Sequence, residues 1–192
     1  QHPFPGVKQD YERLGYASAV CDLLDHMTID EDSNPFLLSV ALDTLRWMES
    51  VPSHRMELPL WYFQIKAAGC LGYRPHLSGW AVTGEKLGDT RAWFSAEHGG
   101  TVKRRTDGHG VWLDPESIAY LEHLQTLTPD RIDADTFDRV DTEQCRMAIR
   151  LFLDYHMDER RPKSFLYLEK LRTSRAARAS LAADRVSGGI AT

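Results

Sequence analysis

The sequence predicts a mainly α-helical, bundle-like domain that carries one small, glycine-rich β-hairpin insert. Apolar residues recur at helical spacing in several segments, which is typical of helices that bury one face against their neighbours. Between these segments, residues 73–112 lose the helical period and hold many of the chain's 13 glycines. With 192 residues, 42% of them hydrophobic, the chain has enough apolar material for one medium-sized domain.

The first part of the chain predicts three helices. Residues 8–27 carry apolar side chains at helical spacing, which indicates the first helix. Asn34 followed by Pro35 is typical of a helix cap with proline in the first turn, and Pro52 ends this second helix. The third helix, from about Glu57 to Leu71, is apolar on several sides, so it is predicted to lie buried at the centre of the domain.

The insert is predicted to begin after Gly72, which is a natural stop for the third helix. In residues 73–112, short apolar or aromatic segments alternate with turns, and the glycines allow the backbone to turn tightly. The strand candidates are Trp80–Val82, Trp93–Phe94 and Val111–Leu113.

The last part of the chain predicts further helices around an acidic linker. Asp114 and Pro115 open a helix by the same cap-and-proline pattern. Residues 128–143 hold six acidic and two basic side chains and read as a solvated linker, since the spacing of a calcium loop is missing. Helices are predicted from about Thr142 and after Lys163. The domain is predicted to span residues 1–172, followed by a flexible tail at 173–192.

Composition and motifs exclude several classes of protein. No run of residues has the length and apolarity of a membrane span, and since no charged-then-apolar stretch opens the sequence, we expect no secretory signal. The three cysteines are far apart and form no C-x-x-C pair, which favours a reducing cytoplasm. A net charge of −5 argues against a surface that coats DNA generally. Because no nucleophile, phosphate-loop or metalloprotease motif is present, we expect neither an enzyme nor a bound cofactor.

An ordered set of short motifs resembles one known family. The stretch that begins at Phe63 covers the end of the buried third helix and closes in Leu-Gly-Tyr at Tyr73. A Pro-x-Leu, a Thr-Gly, a Phe-Ser and a Gly-Gly follow in order up to Gly100. A Lys-Ser pair at Lys163 and Ser164 precedes the last helix. This set is similar to the C-terminal helical domain of the bacterial recombination mediator RecO, and the resemblance covers most of the chain, from about residue 10 to 171.

The resemblance also implies that the insert is a degenerate zinc knuckle. Family members hold zinc there with two C-x-x-C pairs, and four-cysteine sites keep such small knuckles folded. In this chain the four ligand positions fall at Trp80, Thr83, Lys103 and Thr106, none of which supplies a thiolate. We therefore expect no zinc. Aromatic side chains are expected to take the place of the metal, namely Trp80, Trp93, Phe94 and Trp112.

A nitrogen-only metal site is the alternative for the insert. His76, His98 and His109 lie in this segment, and imidazole nitrogen is a common ligand of zinc. Their spacing matches no standard ligand pattern, however, so exposed turn residues are the competing interpretation.

The family resemblance implies a DNA repair and recombination accessory module that binds rather than catalyses. The implied partners are RecR, the acidic C-terminal tail of single-stranded DNA-binding protein, and single-stranded DNA. The family's N-terminal oligonucleotide-binding barrel would precede this chain, so DNA binding is expected to be weak without it. The sequence leaves open whether the chain is an excised domain or a natural short form.

Two basic clusters are the candidates for contact with DNA or with the acidic tail. One is Lys103-Arg104-Arg105 in the insert, and the other joins the last two helices at Arg160, Arg161 and Lys163. Ordinary solvated turns are the competing interpretation of both clusters. Two other functions stay open: an enzyme that uses a histidine metal site in the insert, and a helical scaffold that has lost its binding functions.

Overall fold

The fold is mainly helical with one small antiparallel sheet, which confirms the predicted fold class. The structure is a computed structural model that describes residues 4–8, 10–28, 34–106, 108–156 and 163–174. Its helices are α1 (Pro5–Lys8), α2 (Tyr11–Met27), α3 (Pro35–Ser50), α4 (Glu57–Cys70), α5 (Pro115–Thr126), α6 (Thr142–His156) and α7 (163–174). Its strands are β1 (Ala92–Ser95), β2 (Gly100–Val102) and β3 (Gly110–Leu113).

Side-chain caps and a left-handed glycine set several helix ends. Asn34 accepts a hydrogen bond from the backbone N–H of Leu37 at 3.0 Å, as the cap-and-proline pattern predicts. The first predicted helix, 8–27, is interrupted, because Asp10 accepts a 2.8 Å bond from the N–H of Glu12 and so starts α2 only at Tyr11. After α4, Gly72 adopts φ +88°, a conformation that glycine tolerates without strain, and the chain turns away from the helix axis.

Helix α4 lies between two halves of the core, as the sequence predicts for a helix that is apolar on several sides. Trp61 and Ile65 belong to the half formed with α5, α6 and the sheet. Leu60 and Phe63 belong to the half formed with α2 and α3. All four side chains are at most 5% exposed, so both faces of this helix are buried.

The insert is a three-stranded sheet of order β2-β1-β3, with both pairs antiparallel. Two of the predicted strand candidates, Trp93–Phe94 and Val111–Leu113, lie in β1 and β3. The third, Trp80–Val82, is not a strand. It forms a tight turn in which the N–H of Trp80 donates to the carbonyl of Glu85 at 2.8 Å, because Gly84 follows with φ +72° and reverses the chain.

The acidic segment is packed against the domain rather than being a solvated linker. It contains two 3₁₀ helices, Pro129–Arg131 and Ala134–Asp138, and buries Phe137 at 5% exposure against Trp61, with ring centroids 5.2 Å apart. Its carboxylates also have a partner, since Arg55 binds Asp138 through two guanidinium nitrogens. The interpretation from charge alone was wrong because it overlooked the apolar residues between the acids.

The last described helix, α7, docks on the helical half of the core. Leu168 is 3% exposed, and the ring of Tyr167 lies directly over Gly15 of α2. An ion cluster holds the same helix, because Glu57 accepts from Arg172 at 3.1 Å and from Arg146 at 2.7 Å. Most of the predicted tail at 173–192 lies outside the described residues. In the part of the chain that the structure describes, no helix has the length and apolarity needed to span a membrane.

Candidate binding sites in the insert and beside α6

Two of the four positions that the resemblance aligns with zinc ligands contact one acidic side chain, that of Glu85. Lys103 pairs with Glu85 at 2.9 Å, and its Nζ lies 5.7 Å from the centre of the Trp80 ring. The hydroxyl of Thr83 donates to the same carboxylate at 3.4 Å. The fourth position, Thr106, is half-buried and its hydroxyl has no hydrogen-bond partner among the described residues. The positions that the resemblance assigns to zinc ligands therefore take part in an ion pair and a cation–indole contact in this chain.

Burial of Trp80 contributes more to this arrangement than the ion pair does. The side chains of Lys103 and Glu85 are 57% and 65% exposed, so water screens their attraction. The hydrogen bond from Lys103 nevertheless lowers the pKa of Glu85, which keeps that carboxylate ionised. Trp80 is 9% exposed and packs in the core half that contains α4 and α6, so its apolar area is the larger contribution.

The four aromatic residues expected in the insert do not form a single cluster. Trp80 and Phe94 join the main core. Trp93 and Trp112 instead pair across β1 and β3, with ring centroids 5.5 Å apart in an edge-on arrangement. Residue 110 is necessarily glycine, because a Cβ there would lie 2.5 Å from the indole of Trp93. The strand alternation puts this pair on the face of the sheet that points away from the helices.

The three histidines of the insert are separate and exposed. The backbone of His76 bridges to Gly100, and the ring of His98 lies 3.0 Å from the hydroxyl of Ser95. His109 lies in the turn before β3. Within the described ranges, no group of three His, Cys, Asp or Glu side chains is placed to hold a metal ion.

The predicted basic clusters are only partly described. Lys103, Arg104 and Arg105 are exposed just after β2, and the guanidinium of Arg105 lies 5.3 Å from the ring centre of Trp93. Lys163 is exposed at the start of α7. Arg160 and Arg161 lie outside the described residues, so this second predicted cluster stays a prediction.

An apolar pocket that the sequence did not predict lies between α4, α5, α6 and the insert. Its volume is about 10 Å³, roughly the space of one water molecule, and it is partly open to solvent. The lining comes from four separate parts of the chain, which is why no local motif indicated it. The lining residues are Gln64, Ile65, Pro75, Leu77, Phe94, Leu121, Ala148, Ile149, Phe152 and Leu153.

Aromatic rings extend from the pocket wall to the surface. Phe152 contacts His156, with ring centroids 4.4 Å apart, and His156 stacks on Tyr73 at 4.9 Å. Tyr155 approaches the same imidazole edge-on at 5.0 Å. Tyr73 and Tyr155 are 43% and 57% exposed, whereas burial lowers the pKa of His156. Because a lowered pKa favours the neutral imidazole, this rim is uncharged and apolar at neutral pH.

Two cations lie next to residues of the pocket wall. Lys66 follows Ile65 in α4, and the exposed Arg74 precedes Pro75. Burial lowers the pKa of Lys66, and the positive charge of Arg74 lowers it further. The Nζ of Lys66 lies 5.5 Å from the centre of the Tyr62 ring. We call this pair, Lys66 and Arg74, the basic pair. An apolar pocket whose wall residues are flanked in sequence by two cations is suited to a ligand that combines an apolar side chain with a carboxylate.

Comparison with known proteins gives a consistent set of relatives. The family model described as "Recombination protein O C terminal" matches residues 8–165. Relatives named "DNA repair protein RecO" are similar to this chain in Dehalococcoides mccartyi (26% identical, over 88% of this chain and 66% of the relative) and in Pelotomaculum thermopropionicum (29%, over 87% and 64%). A third, from Pelobacter propionicus, is 32% identical over 72% of this chain and 58% of the relative.

The match covers only part of those relatives. The chain spans 66% of the length of the Dehalococcoides protein and less of the other two. No solved structure matches this chain.

Proposed function

This chain belongs to the family of recombination protein O C-terminal domains, and from that premise we propose that it acts in DNA repair and recombination by binding partners rather than by catalysis. The resemblance that the sequence motifs indicated is thereby confirmed. The proposed folding unit is residues 1–172 with the insert at 73–112, and its proposed place of action is the cytoplasm.

The observation that carries this proposal is the apolar pocket with its adjacent basic pair. The acidic tail of single-stranded DNA-binding protein ends in apolar residues and a free carboxylate. We propose that the apolar end places one side chain at the mouth of the pocket beside Phe94 and Phe152, while the carboxylate binds Lys66 and Arg74. Apolar contact supplies most of the affinity, and the cations give orientation and salt dependence.

The pocket sets the scale of the expected affinity. Its space of about 10 Å³ holds roughly one water-sized group, so it accepts the tip of one apolar side chain rather than a folded surface. The tail has to lose conformational freedom on binding, which offsets part of the gain. A dissociation constant in the micromolar range, roughly −8 kcal/mol or weaker, is therefore expected.

Fluorescence anisotropy of a labelled tail peptide tests the proposal. The peptide is titrated with this chain at low and moderate salt, and saturable binding that weakens with salt is expected. Lys66→Gln and Arg74→Gln should each weaken binding, whereas Arg46→Gln should not, because Arg46 lies on α3 and pairs with Asp43. Absence of binding at high micromolar concentration would favour a scaffold that has lost this role.

Single-stranded DNA and RecR are the other proposed partners. The exposed cations Lys103, Arg104 and Arg105 are candidates for contact with phosphates. The alternative of a histidine-based metal enzyme is not favoured by any observation, since the described residues contain no group of three His, Cys, Asp or Glu side chains placed to hold a metal ion.

A further inference from the structure

The insert has two arms that a zinc ion would join in the family. We call residues 75–86 the first arm and residues 100–106 the second arm, and each contains two of the four positions that the resemblance assigns to zinc ligands. None of these four side chains supplies a thiolate or an imidazole, so the residues present do not fit a zinc ion. A different contact therefore has to hold the two arms together.

Thr101 of β2 contacts the first arm through both its side chain and its backbone. Its hydroxyl donates to the carbonyl of Gly79 at 2.7 Å, and its N–H donates to the carbonyl of His76 at 3.1 Å. Its own carbonyl accepts from the N–H of Ala81 at 2.7 Å. One residue of the second arm thus binds the first arm at three points along its length.

Burial distinguishes this contact from the ion pair that also joins the arms. Thr101 is 0% exposed, and Gly79 is buried as well. A carbonyl in such a place does not reach water, so the loss of its donor costs the full desolvation of that group. Lys103 and Glu85, by contrast, are more than half exposed, and water screens their attraction. The hydroxyl of Thr101 is therefore the stronger side-chain link between the arms.

The first arm also covers the outer edge of the insert sheet. Strand β2 lies at the edge in the order β2-β1-β3, and His76 forms a parallel bridge with Gly100 there. The N–H of His76 donates to the carbonyl of Gly99 at 2.8 Å. Residue 100 has to be glycine, since a Cβ would overlap the carbonyl oxygen of His76. The two arms therefore meet backbone to backbone, directly beside Thr101.

The start of the first arm forms one wall of the apolar pocket. Pro75 and Leu77 line that pocket, and Leu77 is 3% exposed. Gln125 of α5 donates to the carbonyl of Pro75 at 2.8 Å. The wall is thus held by α5 at Pro75 and by Thr101 at the residues that follow.

We propose that Thr101 takes the place of the metal in this insert and positions the pocket wall at Pro75 and Leu77. Its hydrogen bonds join the two arms, as four ligands on one ion join them in a zinc knuckle. The positioning of the wall rests on the proposed function, because its readout is binding of the tail peptide. The joining of the arms does not depend on that function.

Amide hydrogen exchange of the full chain, followed by NMR, tests the contact between the arms. Thr101→Val removes the hydroxyl and keeps the shape of the side chain. The amides of His76 and Ala81 should exchange about 10- to 100-fold faster than in the wild type, because the buried carbonyl of Gly79 loses its donor. The amides of α6 should change much less. In the wild type, EDTA should leave the exchange of His76 and Ala81 unchanged.

Two variants separate the hydroxyl from other effects of the substitution. Thr101→Ser keeps the hydroxyl and should keep wild-type exchange. Thr44→Val removes an equally buried hydroxyl, which donates to the carbonyl of Val40 at 2.8 Å within α3, and it should leave the insert unaffected. If Thr101→Val does not fold, Thr101→Ser decides: wild-type exchange at Ala81 supports the inference, and faster exchange overturns it, because the methyl group would then be what matters.

Anisotropy of the labelled tail peptide tests the position of the pocket wall. Thr101→Val should weaken binding by roughly fivefold, at the lower end of the coupling between linked sites, whereas Thr101→Ser and Thr44→Val should not. Unchanged exchange of His76 and Ala81 in Thr101→Val would overturn the inference, and so would faster exchange of the wild type in EDTA. A wild type that does not bind the peptide would count against the proposed function and the pocket wall, while the exchange rates would still decide how the arms are joined.

Discussion

Replacing Trp80 by alanine should destabilise the protein more than the same change at Trp112. Both tryptophans lie in the insert, and both were expected from the sequence to replace the missing metal. The structure separates them, because Trp80 is 9% exposed within the main core whereas Trp112 is half-buried on the outer face of the sheet. The two substitutions remove the same atoms, so burial is the main difference between them.

The expected magnitudes follow from the buried area. An indole buries about 150–250 Å² when fully enclosed, and each Å² contributes about 25 cal/mol. Trp80→Ala should therefore lower the free energy of unfolding by about 3–5 kcal/mol, which agrees with measured truncations of buried aromatic residues. Trp112→Ala should lower it by a smaller amount, about 2–3 kcal/mol, since part of its ring is already in water.

Urea unfolding followed by far-ultraviolet circular dichroism measures both changes. In thermal unfolding followed by the same signal, each kcal/mol corresponds to about 2–4 °C in Tm for a chain of this size, so Trp80→Ala should lower Tm by about 6–20 °C. Lys103→Met is the matched control for the ion pair. It removes the positive charge over Trp80 but keeps an apolar chain there, and it should change stability little because Lys103 is exposed.

Equal effects of the two tryptophan substitutions would refute this reasoning. So would an unchanged Tm in Trp80→Ala, because the ring would then contribute nothing to the core. A large loss of stability in Lys103→Met would show instead that the contact of Lys103 with Glu85 holds the insert.

Three further predictions concern metal, a buried carboxylate and acid. The purified chain should contain no stoichiometric zinc by atomic emission, and one zinc per chain would contradict the account of the insert. Glu57→Gln should lower the free energy of unfolding by about 3 kcal/mol, because it leaves the partly buried Arg146 without its main partner. The control is Glu143→Gln, which should have little effect in the same urea assay because the side chain of Glu143 is 71% exposed. Burial raises the pKa of Asp10, but hydrogen bonds from Glu12, Ser53 and Arg13 outweigh it and leave that pKa lowered. A carboxyl whose pKa is lower in the folded state stabilises the fold at pH values above the unfolded pKa of about 3.9, and this contribution is lost as the pH falls through the folded-state pKa. Asp10→Ala should therefore reduce the free energy of unfolding by about 1 kcal/mol at pH 7 and by progressively less below pH 4. An equal loss at pH 7 and below pH 4 would argue against a charged cap.

The sequence by itself determined the features that depend on neighbouring residues. Helix starts followed from caps such as Asn34 with Pro35, because a side-chain oxygen and a proline act within one turn. The central position of α4 followed from apolar residues on all its sides. An ordered series of short motifs indicated the resemblance by which zinc-ligand positions were assigned to residues such as Trp80 and Thr83, which carry no thiolate. The family match confirmed that resemblance.

The tertiary structure decided the features that join distant parts of the chain. Ile65, Phe94 and Phe152 line one pocket although they belong to three elements, and no periodic pattern connects them. Arg55 pairs with Asp138, which lies 83 residues further along the chain. The charges of the acidic segment alone predicted a solvated linker, because they do not show that a distant arginine binds it. Local motifs predict the secondary structure of a segment. The contacts between segments depend instead on how their side chains pack, and that packing is determined by the shape of the whole core.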